Sequence, residues 1–156
     1  MASSSRVPWW PGLSTARDIA AAAGARSVGT QHVLLALVTR AEPDVAPVLR
    51  AGAIDRPAVL AALQGITGTG CRRESVRLDA VAVSPRVLAL VREAATRGQR
   101  AGAVPDLDVL DALLAVEEPS LAALVLTALG SRRRVRTALR RHVQRADDGG
   151  GDLVGR

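Results

Sequence analysis

The side chains in this chain that could do chemistry are few, and their spacing decides most of what they could do. Cys71 is the only cysteine, and it sits in a glycine-rich stretch beside Arg72 and Arg73, which would lower its thiol pKa. A Cys71–His32 nucleophile pair is conceivable from residue types alone, but nothing in the spacing fixes it. No second His, Cys or carboxylate stands at metal-ligand spacing from His32, so no metal or other cofactor is expected. Gly65, Gly68 and Gly70 do not make a phosphate loop. They follow a helical pattern instead of a strand, and the chain contains no lysine at all. Asp106, Asp108 and Asp111 could cluster on one helical turn, but Asp106 reads as a helix cap and the other two as a solvated face. Arg132, Arg133, Arg134, Arg136, Arg140, Arg141 and Arg145 concentrate positive charge near the end of the sequence, with His142 among them. Around Val135, Leu139 and Val143 as an inward stripe, they read as a solvated face, with an acidic partner and then nucleic acid as the sharper alternatives. Without interleaved aromatics or helix-turn-helix spacing, base reading has no support.

The elements that must position these residues are helical. The chain has 156 residues, 48% of them apolar, with no Phe or Tyr and only two aromatics, Trp9 and Trp10. A core of Leu, Val and Ala is best packed as closely approaching, alanine-lined helices. No apolar run is long enough to span a membrane, the first residues lack a signal-peptide core, and one cysteine permits no internal disulfide. A cytoplasmic monomer is the expectation. Ser14, Thr30, Asp55, Ser84, Asp106 and Ser131 are candidate N-caps, and Pro43 and Pro119 open two further helices. Val33, Leu34, Leu37 and Val38 make an inward stripe in the second helix, Val59, Leu60 and Leu63 in the fourth. Leu88, Val91 and Ala95 do so after Ser84, as do Leu121, Leu124, Val125 and Leu129 after Pro119. Residues 65–83 read as a connector, in which the alternation Val76, Leu78, Ala80 is assigned to loop because a strand there would have no partner. Residues 1–12 read as an extension whose two tryptophans fold back as a flap, and residues 146–156 as a disordered tail.

An offset of 76 residues lays Val28-Gly29-Thr30-Gln31-His32-Val33-Leu34-Leu35-Ala36-Leu37 over Val104-Pro105-Asp106-Leu107-Asp108-Val109-Leu110-Asp111-Ala112-Leu113. Val45-Ala46-Pro47-Val48-Leu49 falls likewise on Leu121-Ala122-Ala123-Leu124-Val125. The fold class is therefore all-α: two pseudo-symmetric four-helix repeats, residues 13–64 and 84–145, packed into one bundle.

The Val28–Leu37 segment resembles the signature of the Clp N-terminal repeat domains found on ClpA, ClpB and ClpC unfoldases, and residues 84–130 are similar to the second repeat. The resemblance implies a non-catalytic protein-binding module, here expected to stand without an ATPase. It would bind substrates, adaptors or N-domain ligands of a Clp unfoldase, as an accessory or decoy, or deliver proteins to the machine. The binding residues it implies are Thr30, Gln31, His32, Ser84, Asp106 and Leu107, around the starts of the two signature helices and the groove between the repeats. In the ClpC type, a Glu of each signature and a hydroxyl residue in each repeat read phosphoarginine. Gln31 and Leu107 stand at the two Glu positions, Ser84 at one hydroxyl position, and the other falls near Ser5 or Arg6. Gln offers only neutral hydrogen bonds and Leu none, so phosphoarginine reading is expected to be weakened or lost. The competing class is an arginine-rich helical protein that binds nucleic acid or regulates.

Overall fold

The computed structural model describes residues 8–68, 75–116 and 119–149; Cys71, Arg72 and Arg73 lie outside them, as do Ser5 and Arg6. Eight helices form among the described residues: α1 (Leu13–Ala22), α2 (Thr30–Arg40), α3 (Ala46–Ala51), α4 (Arg56–Thr67), α5 (Pro85–Arg97), α6 (Asp106–Ala115), α7 (Leu121–Ala128) and α8 (Arg132–Gly149). The two halves are built alike: α1 packs on α2 and α5 on α6, while α2 meets α4 as α6 meets α8. None of the helices is long and apolar enough to cross a membrane.

The likeness extends to the turns. After α1 the chain passes through Gly24 (φ 72°) and after α5 through Gln99 (φ 52°), while Ala53 (φ 54°) follows α3 and Gly130 (φ 61°) follows α7. Each left-handed residue closes a six-residue helix-ending hydrogen bond: Ala25 N–H to Ala20 O (2.9 Å), Arg100 N–H to Ala95 O (2.8 Å), Ile54 N–H to Leu49 O (3.0 Å) and Ser131 N–H to Leu126 O (3.1 Å). Four helix ends thus stop by one device, placed twice in each half.

The halves exchange elements instead of meeting face to face. Helix α3 packs on α8 and α4 on α7, each pairing a helix of one repeat with one of the other. A short strand β1 (Ser27–Val28) pairs in parallel with β2 (Ala82–Val83), in register Ser27 to Ala82 and Val28 to Val83. Its counterpart is a single parallel bridge between Trp9 and Ala103. Ala82 N–H donates to Arg26 O (3.0 Å) just as Trp9 N–H donates to Gly102 O (3.3 Å), and Arg26 and Gly102 are 76 residues apart. The segment ahead of each repeat's first helix therefore pairs with the segment ahead of the other repeat's second helix. Val76, Leu78 and Ala80 form no strand, as expected, but the connector is not loop throughout: a 3-10 turn (Leu78–Ala80) leads into β2, whose partner belongs to the other repeat.

Helices α2 and α6 form the centre. Val33, Leu34, Leu35, Ala36 and Leu37 are all buried, as are Val109, Leu110, Ala112, Leu113 and Leu114, so both helices are enclosed on nearly every side. Ala16, Ala20, Ala94 and Ala95 let α1 and α5 approach them closely. Leu60, Leu88, Leu124 and Val143, expected to face inward, are exposed by 40–45%. Their helices are one-sided outer elements, and the buried stripe lies one position away, on Val59, Val87 and Val125. Helix α8 continues past Ala146 to Gly149, into the segment expected to be a tail, because a helix anchored by buried Val135 and Leu139 extends at little cost.

Three of the expected caps are also corrected. Gly12, Gly29 and Pro105 occupy the cap positions of α1, α2 and α6, and none of them supplies a side-chain cap bond. Ser14 donates instead to Pro11 O (3.2 Å). Ser131, a fourth expected cap, is buried ahead of α8 with no hydrogen-bond partner for its Oγ among the described residues, and Ser120, next to Pro119, caps α7. Asp55 and Ser84 cap as expected, accepting from Ala58 N–H (2.8 Å) and Val87 N–H (3.3 Å).

Candidate functional site

The starts of α2 and α6 carry five of the six residues implicated by the sequence. Once Gly29 and Pro105 take the cap positions, Thr30 and Asp106 become first-turn residues whose short polar side chains turn inward, and both are buried. Thr30 Oγ1 accepts from Ala122 N–H of α7 (3.3 Å), so it fastens one repeat to the other. Asp106 accepts from the indole Nε1–H of Trp10 (2.7 Å) through one oxygen and from Arg40 Nε–H (2.9 Å) through the other. Arg40 also reaches Glu42 (3.1 Å). A buried carboxylate is tolerable only with such charge-assisted partners. Trp10 is itself only 2% exposed, and a Cβ on Gly12 would run into its ring. The folded-back flap therefore holds for Trp10, whereas Trp9 stays 57% exposed.

His32 is buried, and its Nδ1 accepts from Gly29 N–H (2.9 Å), closing the first turn of α2. Burial pushes its pKa below the usual 6.5. At neutral pH the ring is thus neutral, and with Nδ1 accepting, its proton is on Nε2. Above pH 6.5 neither folded nor unfolded chain protonates this histidine. As pH falls below that value the unfolded chain takes up a proton that the folded one refuses, so stability declines until the lowered folded pKa is reached. The melting temperature is expected to fall over this interval, and a His32→Asn variant to show a flatter profile through it.

Ser84 is half-buried as the cap of α5. Its first-repeat counterpart, expected near Ser5 or Arg6, lies outside the described residues, and Gly12, at the matching cap position of α1, has no hydroxyl. Gln31 and Leu107 are left with surface to offer. Both are first-turn positions one residue past Thr30 and Asp106, and both are half-buried. The Gln31 side chain folds over Gly29 and makes no hydrogen bond to another described residue. Leu107 lines a groove of about 510 Å³ between α6 and α8. A second groove, about 330 Å³, runs between α5 and α6 past Thr30, Leu90 and Val116.

Sequence reasoning missed Arg40 and the tie from Trp10 to Asp106, 96 residues apart. The available signal was Arg40 as the last residue of α2, followed closely by Glu42. Among the described residues no group of His, Cys, Asp and Glu comes together as metal ligands. His142 Nε2 lies 4.0 Å from Asp44 Oδ1, half-buried instead of simply solvated.

A family model described as the Clp repeat N-terminal domain matches residues 8–105, from the Trp10 flap to the residue that precedes α6. Curated proteins give no significant match.

Proposed function

The chain belongs to the Clp repeat N-terminal domain family, and on that premise we propose that it acts as an accessory or decoy in a Clp unfoldase–protease system, holding substrates, adaptors or N-domain ligands without transforming them. The observation that carries this reading is the division of labour at the helix starts. Thr30 and Asp106 are spent on holding the two repeats together and His32 on closing the first turn of α2, while Gln31 and Leu107 keep surface beside them on a scaffold fixed from both sides. Preorganised polar and apolar side chains on rigid elements suit recognition, since little ordering is needed on binding. The neutral Gln31 and the apolar Leu107 favour ligands with amide and aliphatic groups over those carrying a guanidinium-like cation.

The test is a reconstituted degradation assay with a ClpC-type unfoldase, its protease and an adaptor-dependent fluorescent substrate. Adding this chain in excess is expected to slow degradation by sequestering substrate or adaptor; a faster rate would indicate delivery. A Gln31→Ala, Leu107→Asp double variant should lose most of either effect. An unchanged rate at saturating chain would remove the proposal.

A further inference from the structure

Helix α8 carries seven arginines against Asp147 and Asp148, a balance of +5 in a chain whose total is +6. The rest of the molecule is close to neutral, so the charge is segregated onto one outer helix. Two of the seven are engaged within the protein. Arg132 donates to Leu114 O (2.8 Å) and Val116 O (2.7 Å), and Arg136 donates to Leu114 O (2.7 Å), satisfying carbonyls at the end of α6. Arg133, Arg134, Arg140, Arg141 and Arg145 are exposed and make no ion pair or hydrogen bond with another described residue.

One of these, Arg140, lines an apolar channel. The floor of the α6–α8 groove is Leu107, Leu114, Leu139 and Val143, with Arg140 and Gln144 on its α8 rim. Helical spacing sets Arg133 and Arg140 seven residues apart on one row, bordering the row of Leu139 and Val143. Two aspartates also line the groove, but each already has a cation: Asp108 pairs with Arg100 (3.2 Å) and Asp111 with Arg97 (3.4 Å). The unbalanced charge at this site is positive.

We propose that the α6–α8 groove docks an acidic amphipathic helical segment of a partner protein, its leucine-type side chains on Leu107, Leu139 and Val143 and its carboxylates on Arg133 and Arg140. A groove between two helices accepts a third helix by its apolar stripe, and arginine pairs carboxylates bidentately. Nucleic acid would use the arginines but not the aliphatic floor, and neither aromatic residue lies on α8 to stack on a base. The inference takes from the functional proposal only that the partner is a polypeptide, and its test needs no Clp component.

The probe is a fluorescein-labelled peptide of about 14 residues, roughly 21 Å long as a helix, with leucines on one stripe and glutamates elsewhere. Fluorescence anisotropy with the intact chain should show saturable binding. A peptide of equal charge with serine in place of leucine should bind about tenfold more weakly or worse. Arg133→Ala with Arg140→Ala, and separately Leu107→Ser with Val143→Ser, should each weaken the leucine peptide about tenfold. All four side chains are at least partly exposed, and an unchanged circular-dichroism melt confirms that the variants fold. Equal binding of the serine peptide, indifference to either pair of substitutions, or tighter binding of a duplex DNA of similar charge would each overturn the proposal.

Discussion

Replacing Trp10 with alanine is expected to destabilise the fold by about 3–5 kcal/mol, the usual cost of removing a fully buried aromatic ring. In a chain of this size that corresponds to a loss of roughly 10 °C in melting temperature. Two contributions add. The ring leaves a cavity against Gly12 and α1, and Asp106 loses the indole N–H from one oxygen while remaining buried. Asp106→Ala acts on the same tie from the other end. It strands the indole N–H and removes the acceptor of Arg40, for an expected cost of about 2–4 kcal/mol. The Arg40 part is the smaller, because that side chain is 23% exposed and can turn to water and Glu42. A double-mutant cycle separates cavity from hydrogen bond. Trp10→Phe keeps most of the ring but has no N–H, so the cost of Asp106→Ala should shrink by about 1 kcal/mol or more in that background. Urea unfolding of the four proteins reads this out. Additive costs would mean that the 2.7 Å bond contributes nothing beyond packing.

How much of this was legible in the sequence depended on distance along the chain. The 76-residue offset was visible because α2 and α6 are enclosed helices, and their apolar spacing, Val33, Leu34 and Leu37 against Val109, Leu110 and Leu113, is a local pattern. The proline and glycine stops were equally local. The exposed Leu60, Leu88 and Leu124 were not, since spacing alone permits neighbouring stripes on an outer helix, and only the helix packed against it selects one. Asp106 shows the same limit at the candidate site. An aspartate at a helix start reads as a cap, and here Pro105 displaces it into the first turn, where Trp10 and Arg40 take its carboxylate. Neither partner is near it in sequence. Strand β2 was missed for a related reason: a two-residue strand has no pattern of its own, and it exists only because Ser27–Val28 is delivered by the other repeat.

That exchange makes a second large effect expected: neither repeat should fold alone. Residues 1–68 expressed separately keep α1 on α2, but lose the cover that α7 gives α2 and α4 and that α8 gives α3. They also lose the strand partner of β1 and leave Thr30 Oγ1 without Ala122 N–H. Residues 75–156 lose the reciprocal set, including the Trp9 bridge and both partners of Asp106. A fragment of this size is marginal even with a complete core, and each half would have its central helix open on one side. Each fragment is expected to show weak helical circular dichroism without a cooperative melt, and an equimolar mixture to regain one as the exchanged contacts re-form. A close cross-repeat approach gives a graded version of the same test. Gly52, closing α3, lies so near Val135 of α8 that a Cβ there would strike the valine methyl, while its φ of −86° is open to any residue. Gly52→Ala should therefore cost about 1–3 kcal/mol through overpacking rather than backbone strain. Trimming the other side with Val135→Ala should make that added methyl far less costly, even though Val135→Ala is itself destabilising. If Gly52→Ala costs the same in both backgrounds, α3 and α8 do not press on each other as described. If either fragment melts cooperatively by itself, the two repeats are independent modules and their pairing is not what holds the starts of α2 and α6 in place.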